Sequence, residues 1–158
     1  MSKLIYIETT IPSFYHETRQ KQEIVTMRTW TREWWQQASV AHSFVSSDAV
    51  LDELEATPEP KRTDCLQLLE DMPLLEDSEE IDDLVEFYIE HKLMPASLSG
   101  DARHLALAAH HGCDILVTWN CRHIANPNKL EHIYHIHELL GLRAPVLATP
   151  HQLLEADK

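Results

Sequence analysis

The feature that most limits the folds open to this chain is one unbroken stretch, Ser99 to Asn120 (SGDARHLALAAHHGCDILVTWN). Ala102, Leu105, Ala106 and Ala109 recur at the helical period, with Ser99 available as a cap. Asp101 falls in the first turn, where the helix dipole favours negative charge. Gly112 is a natural helix stop. Ile115, Leu116 and Val117 then form an apolar run too short for a helix, and their branched content suits a central parallel strand. In open parallel sheets, ligands lie beyond the carboxyl ends of the strands, so Thr118, Trp119 and Asn120 point towards a site. Asp114 precedes the strand and should face the opposite end of the sheet.

The same unit recurs along the chain. Lys3 to Glu8 reads as a strand ending in an acid, and Thr9-Thr10-Ile11-Pro12 turns it into a helix. Met27, Trp30, Trp34 and Ala38 keep helical spacing within an amphipathic helix from about Glu17 to Ala38, and these tryptophans suit core or dimer contacts. Phe44 to Ser47 is a second strand, with Asp48 as a cap and Glu53 on the opening turns of the next helix. After Pro58 and Pro60 come a short helix over 61–70, a third strand at Met72 to Leu75, and a helix over 81–91. Beyond Asn120 a loop passes His123 and Pro127, a helix runs to Leu140, Gly141 stops it, Val146 to Ala148 is a strand, and a final turn begins at Thr149-Pro150. Alternating strands and helices mean a parallel sheet covered on both faces, in one domain over 1–158.

Glycine occurs only at positions 100, 112 and 141, so neither GxGxxG, a phosphate loop nor a GxSxG elbow can be written. HExxH is absent too, and His132, His135 and His137 fall on different helix faces, as surface histidines would. The net charge of −13 is the wrong sign for bulk attraction of nucleic acid, so any such role must be local. Much of that charge sits in a solvated run from Glu76 to Glu86. Cys65, Cys113 and Cys121 show no metal or disulfide spacing and suit a reducing cytosol. No signal-peptide or membrane-spanning run is evident, so a soluble cytoplasmic protein without a membrane partner is expected.

Three carboxylates, Glu8, Glu53 and Asp101, then stand near carboxyl ends of parallel strands. Hard oxygen ligands of this kind hold Mg²⁺ or Mn²⁺, which can activate water and neutralise a phosphodiester. A cap, a surface acid and a strand-end acid with no common purpose would look the same. Thr9 and Thr118 could orient ligands or water, or simply cap strand ends. His104 and His123 could contact phosphate or orient ligands, and Arg103 and Arg122 flank the same end as local sources of positive charge.

YIETT, VSSDAVLDELE and DARHLALAAHHGCDILVTWNCRH, in this order and spacing, resemble a PIN domain, in particular the VapC-type toxin ribonucleases, from about residue 3 to Pro150. The resemblance implies a three-layer α/β/α sandwich with a PIN-like parallel sheet of four to five strands. It implies metal-dependent cleavage of single-stranded RNA with Mg²⁺ or Mn²⁺, a homodimer, and inhibition by an antitoxin encoded alongside. By position the family's catalytic and metal-binding acids fall on Glu8, Glu53 and Asp101, with Asn120 where a fourth acid is frequent. Glu8 replaces the usual Asp and adds a methylene, while Asn120 keeps a carbonyl oxygen but no charge. Two other readings are a catalytically degenerate PIN domain binding RNA or protein, and a flavodoxin-like or receiver-like binding module. The last predicts acids crowded after the first strand, against which the lone Glu8 argues.

Overall fold

A computed structural model describes residues 1–156. Five strands, β1 (Leu4–Ile7), β2 (Ser43–Ser47), β3 (Leu74–Leu75), β4 (Ile115–Val117) and β5 (Val146–Ala148), form one all-parallel sheet in the order β3-β2-β1-β4-β5. The helices are α1 (Thr10–Tyr15), α2 (Gln22–Ala41), α3 (Asp48–Leu54), α4 (Lys61–Leu68), α5 (Glu79–Glu90), α6 (Ser99–His110), α7 (Leu130–Leu140) and α8 (Pro150–Ala156). Ile5, Tyr6 and Ile7 of β1 and the whole of β4 are buried, as strands covered on both faces must be. Ile5 lines a cavity with Trp34, Ala38 and Leu153, so α2 and α8 cover one face. Tyr6, one residue on, bonds to His104 of α6 on the other face. The result is an α/β/α sandwich. Among the described residues no helix is long and apolar enough to cross a membrane.

The strand order fixes where a site can form. The chain steps outward from β1 to β2 and β3, then crosses back from β3 to β4 on the other side of β1. The direction of build therefore reverses between β1 and β4, and open parallel sheets bind ligands at such a switch point. The order differs from the 2-1-3-4-5 of flavodoxins and receivers, which overturns that alternative. Because α6 precedes β4 and runs back against it, its first turn lies at the carboxyl edge of the sheet. Asp101 therefore reaches the same edge as Glu8.

Local chemistry changes four of the expected details. Ser47, not Asp48, caps α3, its Oγ accepting the Val50 N–H at 3.4 Å. Ser99 opens α6 from inside the helix and makes no cap. The long helix expected from Glu17 starts at Gln22, because the buried Glu17 carboxylate takes the Thr18 and Arg19 N–H groups at 3.0 and 3.2 Å and turns the chain. His137 is buried, receiving or giving a 2.7 Å hydrogen bond with Tyr88 and bonding the Ile133 carbonyl, whereas His132 and His135 are exposed. Asp114 sits at the amino end of the sheet, where its carboxylate accepts the Leu4 N–H at 2.8 Å and pairs with Arg143 at 3.1 Å.

Candidate active site

Glu8 follows β1 directly and is 3% exposed. Its Oε1 accepts three hydrogen bonds, from the Thr10 N–H at 3.0 Å, the Thr10 hydroxyl and the Thr118 hydroxyl at 2.6 Å. Each threonine in turn accepts a backbone N–H beyond β4, Thr10 from Trp119 at 2.8 Å and Thr118 from Asn120 at 2.9 Å. A buried carboxylate needs this many donors, and these tie the ends of β1 and β4 to one atom. Oε2 of Glu8 is left for other partners.

Glu53, on α3, faces the same edge. Its Oε1 accepts from the Thr9 hydroxyl at 2.9 Å and from His104 Nε2. Its Oε2 lies against the first turn of α6, 4.0 Å from where a Gly100 side chain would begin. Burial acts to raise the Glu53 pKa, but the His104 bond, the His104 charge and the Thr9 bond together hold it below the usual carboxylate range.

His104 is wholly buried at the centre of the site. An ionised Glu53 can only accept, so the Nε2 nitrogen carries a proton. Nδ1 is 2.7 Å from the Tyr6 hydroxyl, which is 2.7 Å from the Ser47 hydroxyl. Burial favours the neutral ring, yet the Glu53 bond and the charges of Glu8, Glu53 and Asp101 outweigh it and raise the His104 pKa. Glu53 thus bonds the imidazole, on which the charges of Glu8 and Asp101 also act. Asp101, half-buried, has both oxygens free of hydrogen bonds to other described residues.

The remaining expected residues divide. Asn120 donates its N–H to Thr118, a partner of Glu8, but its Oδ1 accepts the His123 N–H at 3.0 Å and so folds the loop after β4. One lone pair of that oxygen is left. Arg103 does not serve as free positive charge: its guanidinium is engaged by Asp77 at 2.9 Å and Asp82 at 2.8 Å, within the acidic run. Arg122 is exposed and makes no ion pair among the described residues, and His123 Nδ1 is buried without a partner. Thr10, Tyr6 and Ser47 belong to the site and escaped the sequence reading. Thr10 was within reach of it, as a hydroxyl two residues after a strand-end acid; Tyr6 reads from sequence only as an apolar strand residue.

Among the described residues no three His, Cys, Asp or Glu side chains close on one another as a ready-made metal cage. The donor set nevertheless suits a hard cation: one uncommitted oxygen on Glu8, one on Glu53 and two on Asp101. Mg²⁺ characteristically keeps several waters and binds through few carboxylates.

The fold has a solved counterpart. The chain is similar to one in the crystal structure of VapBC2 from Rickettsia felis bound to a DNA fragment from their promoter, with a TM-score of 0.60 over 92% of this chain and 98% of that chain, at 14% identity. At that identity the likeness establishes the fold. No protein-family model matches the chain, and no curated protein matches it by sequence.

Proposed function

We propose that this chain is a metal-dependent ribonuclease of the PIN class that cleaves single-stranded RNA, acting as the toxin of a toxin-antitoxin pair. The observation that carries this is that Thr9, next to Glu8, and the turn at Gly100, next to Asp101, both lie against the Glu53 carboxylate at the sheet's switch point. The fold likeness to a chain of the VapBC2 complex supports the toxin assignment and an antitoxin protein as partner. A homodimer and a cytoplasmic location belong to the same proposal.

Glu8, Glu53 and Asp101 are the residues that would hold Mg²⁺ or Mn²⁺, with the remaining lone pair of Asn120 at the margin. A cation there supplies positive charge to the phosphodiester and lowers the pKa of water, as hydrolysis at neutral pH requires. The chain's own contribution is preorganisation. Thr10 and Thr118 hold Glu8 by one oxygen, Thr9 and His104 hold Glu53 by one oxygen, and each carboxylate keeps its other oxygen directed elsewhere. Arg122 and His123, on the loop after β4, would meet the substrate's phosphates.

The test is cleavage of a labelled single-stranded RNA. Activity should require Mn²⁺ or Mg²⁺, stop with chelator, and fall at least about a hundredfold in Asp101→Asn, which removes charge and keeps shape. Cleavage that ignores chelator, or a fully active Asp101→Asn protein, would overturn the proposal. One observation favours the degenerate alternative, the engagement of Asn120 Oδ1 by its own loop in place of a charged fourth ligand. RNA binding without cleavage by the wild-type protein in Mn²⁺ would decide for it.

A further inference from the structure

A cleft of about 540 Å³ opens between the end of α5 and the loop after β4. That volume falls in the ~300–1,000 Å³ range of small-ligand sites. Its polar wall is made by Lys92, Arg122, His123 and Lys129, and no carboxylate lines it, in a chain with twice as many acids as bases. Among the described residues neither Lys92, Arg122 nor Lys129 is in an ion pair, unlike Arg103. His123 Nδ1 is buried behind this wall with no hydrogen-bond partner among the described residues, which is uncommon for a buried polar atom. Its apolar wall is formed by Ile89, Pro95 and Ala96, over the buried Leu93 and Met94.

The cleft is built, not accidental. Lys92 stands at the left-handed position that ends α5, with φ of 57°, while the Leu93 N–H reaches back to the Tyr88 carbonyl at 2.8 Å. Glycine is the usual occupant of that position, and a lysine there is held in a strained conformation that puts its charge at the cleft. Asn126 pins the Arg122 carbonyl at 2.9 Å, and Lys129 Nζ bridges to the Leu93 carbonyl at 3.2 Å. The cleft also adjoins the carboxylates: Pro95 and Ala96, in its lining, lead through one short turn over 96–98 into the first turn of α6, which carries Asp101.

We infer that this cleft binds one nucleotide of the single-stranded substrate beside the scissile position, its phosphate held by Lys92, Arg122 and Lys129 and its base laid on the apolar wall. The inference rests on the ribonuclease reading of the adjoining carboxylates. It explains how a strongly acidic protein holds RNA: the attraction is local, from three cations that its acids do not neutralise.

The test measures binding of inorganic phosphate, of adenosine and uridine 5′-monophosphates and of a short single-stranded RNA to the full chain in chelator, by calorimetry. Wild type should bind the mononucleotides and bind the RNA more tightly. Lys92→Gly and Arg122→Ala should each weaken both about tenfold or more, the scale of a charge-assisted phosphate contact. Arg143→Ala removes the same charge beside Asp114 at the far end of the sheet and should leave binding unchanged. Lys92→Gly should keep its Tm or gain up to about 4 °C, so its loss of binding is not loss of fold. Equal binding by all three variants, or no binding of any probe by wild type, would overturn the inference. Mononucleotide binding without RNA binding would overturn the assignment to substrate. Metal-dependent cleavage at the wild-type rate in Lys92→Gly and Arg122→Ala would overturn the cleft while leaving the ribonuclease reading intact. Cleft binding without cleavage would overturn that reading and with it the scissile position, leaving the cleft as a nucleotide-binding site.

Discussion

Tyr6 is the residue on which the site's internal order depends. Its hydroxyl sits between Ser47 and His104, and the His104 ring sits between Tyr6 and Glu53, so a chain of hydrogen bonds runs from the cap of α3 through buried groups to the Glu53 carboxylate. Tyr6→Phe keeps the ring's packing and leaves two buried polar atoms without this partner. It should cost about 1–3 kcal/mol in urea unfolding. A change below a few tenths of a kcal/mol would mean that solvent reaches those atoms. Glu17 carries a separate, acid-side dependence. The Arg19 hydrogen bond leads the causes that bring its pKa to about 2 from an ordinary 4.5, so its stabilisation is complete above about 4.5 and lost as pH falls through about 2. Glu17→Gln should unfold at lower temperature than wild type at neutral pH, and the gap in Tm should close over that acid window. A gap independent of pH would place the effect of Glu17 in its packing.

At the scale of elements, the helix α6 and strand β4 are the part of the fold that the sequence states most openly. The 3.6-residue spacing, the single glycine and the branched run each point to the same structure, and the opposed direction of α6 then carries Asp101 to the edge where β1 leaves Glu8. Glu53 reads less directly, because its placement depends on how α3 leans, which no local pattern encodes. What the sequence conceals is pairing between distant residues. Arg103 looks like free charge until the acidic run folds beside it, Asn120 looks like a ligand until the loop closes on its carbonyl, and His137 looks superficial until Tyr88 reaches it. Alanines at 102, 106 and 109 let α6 lie close to its neighbours, all three being buried. Ala106→Leu should therefore be overpacked and cost about 1–3 kcal/mol by chemical denaturation. A neutral result would show slack beneath α6.

Taken whole, the molecule carries strong negative charge, sets three of its acids at the carboxyl edge of the sheet, and leaves a few cations unpaired at a cleft between the end of α5 and the loop after β4. Without a cation the like charges of Glu8, Glu53 and Asp101 are moderated by His104 and by the threonine donors, so binding of a divalent ion should stabilise the native state further by mass action. At a hundredfold excess over its dissociation constant the gain is about 2.7 kcal/mol, which for a chain of this size is several degrees in Tm. The decisive measurement is Mn²⁺ binding, followed by calorimetry and by Tm, in wild type, Glu8→Gln, Glu53→Gln, Asp101→Asn and the remote Asp114→Asn. Saturable binding with a rise in Tm in wild type and Asp114→Asn, and its loss in each of the other three, is the result this account predicts; equal binding by all five proteins would contradict it.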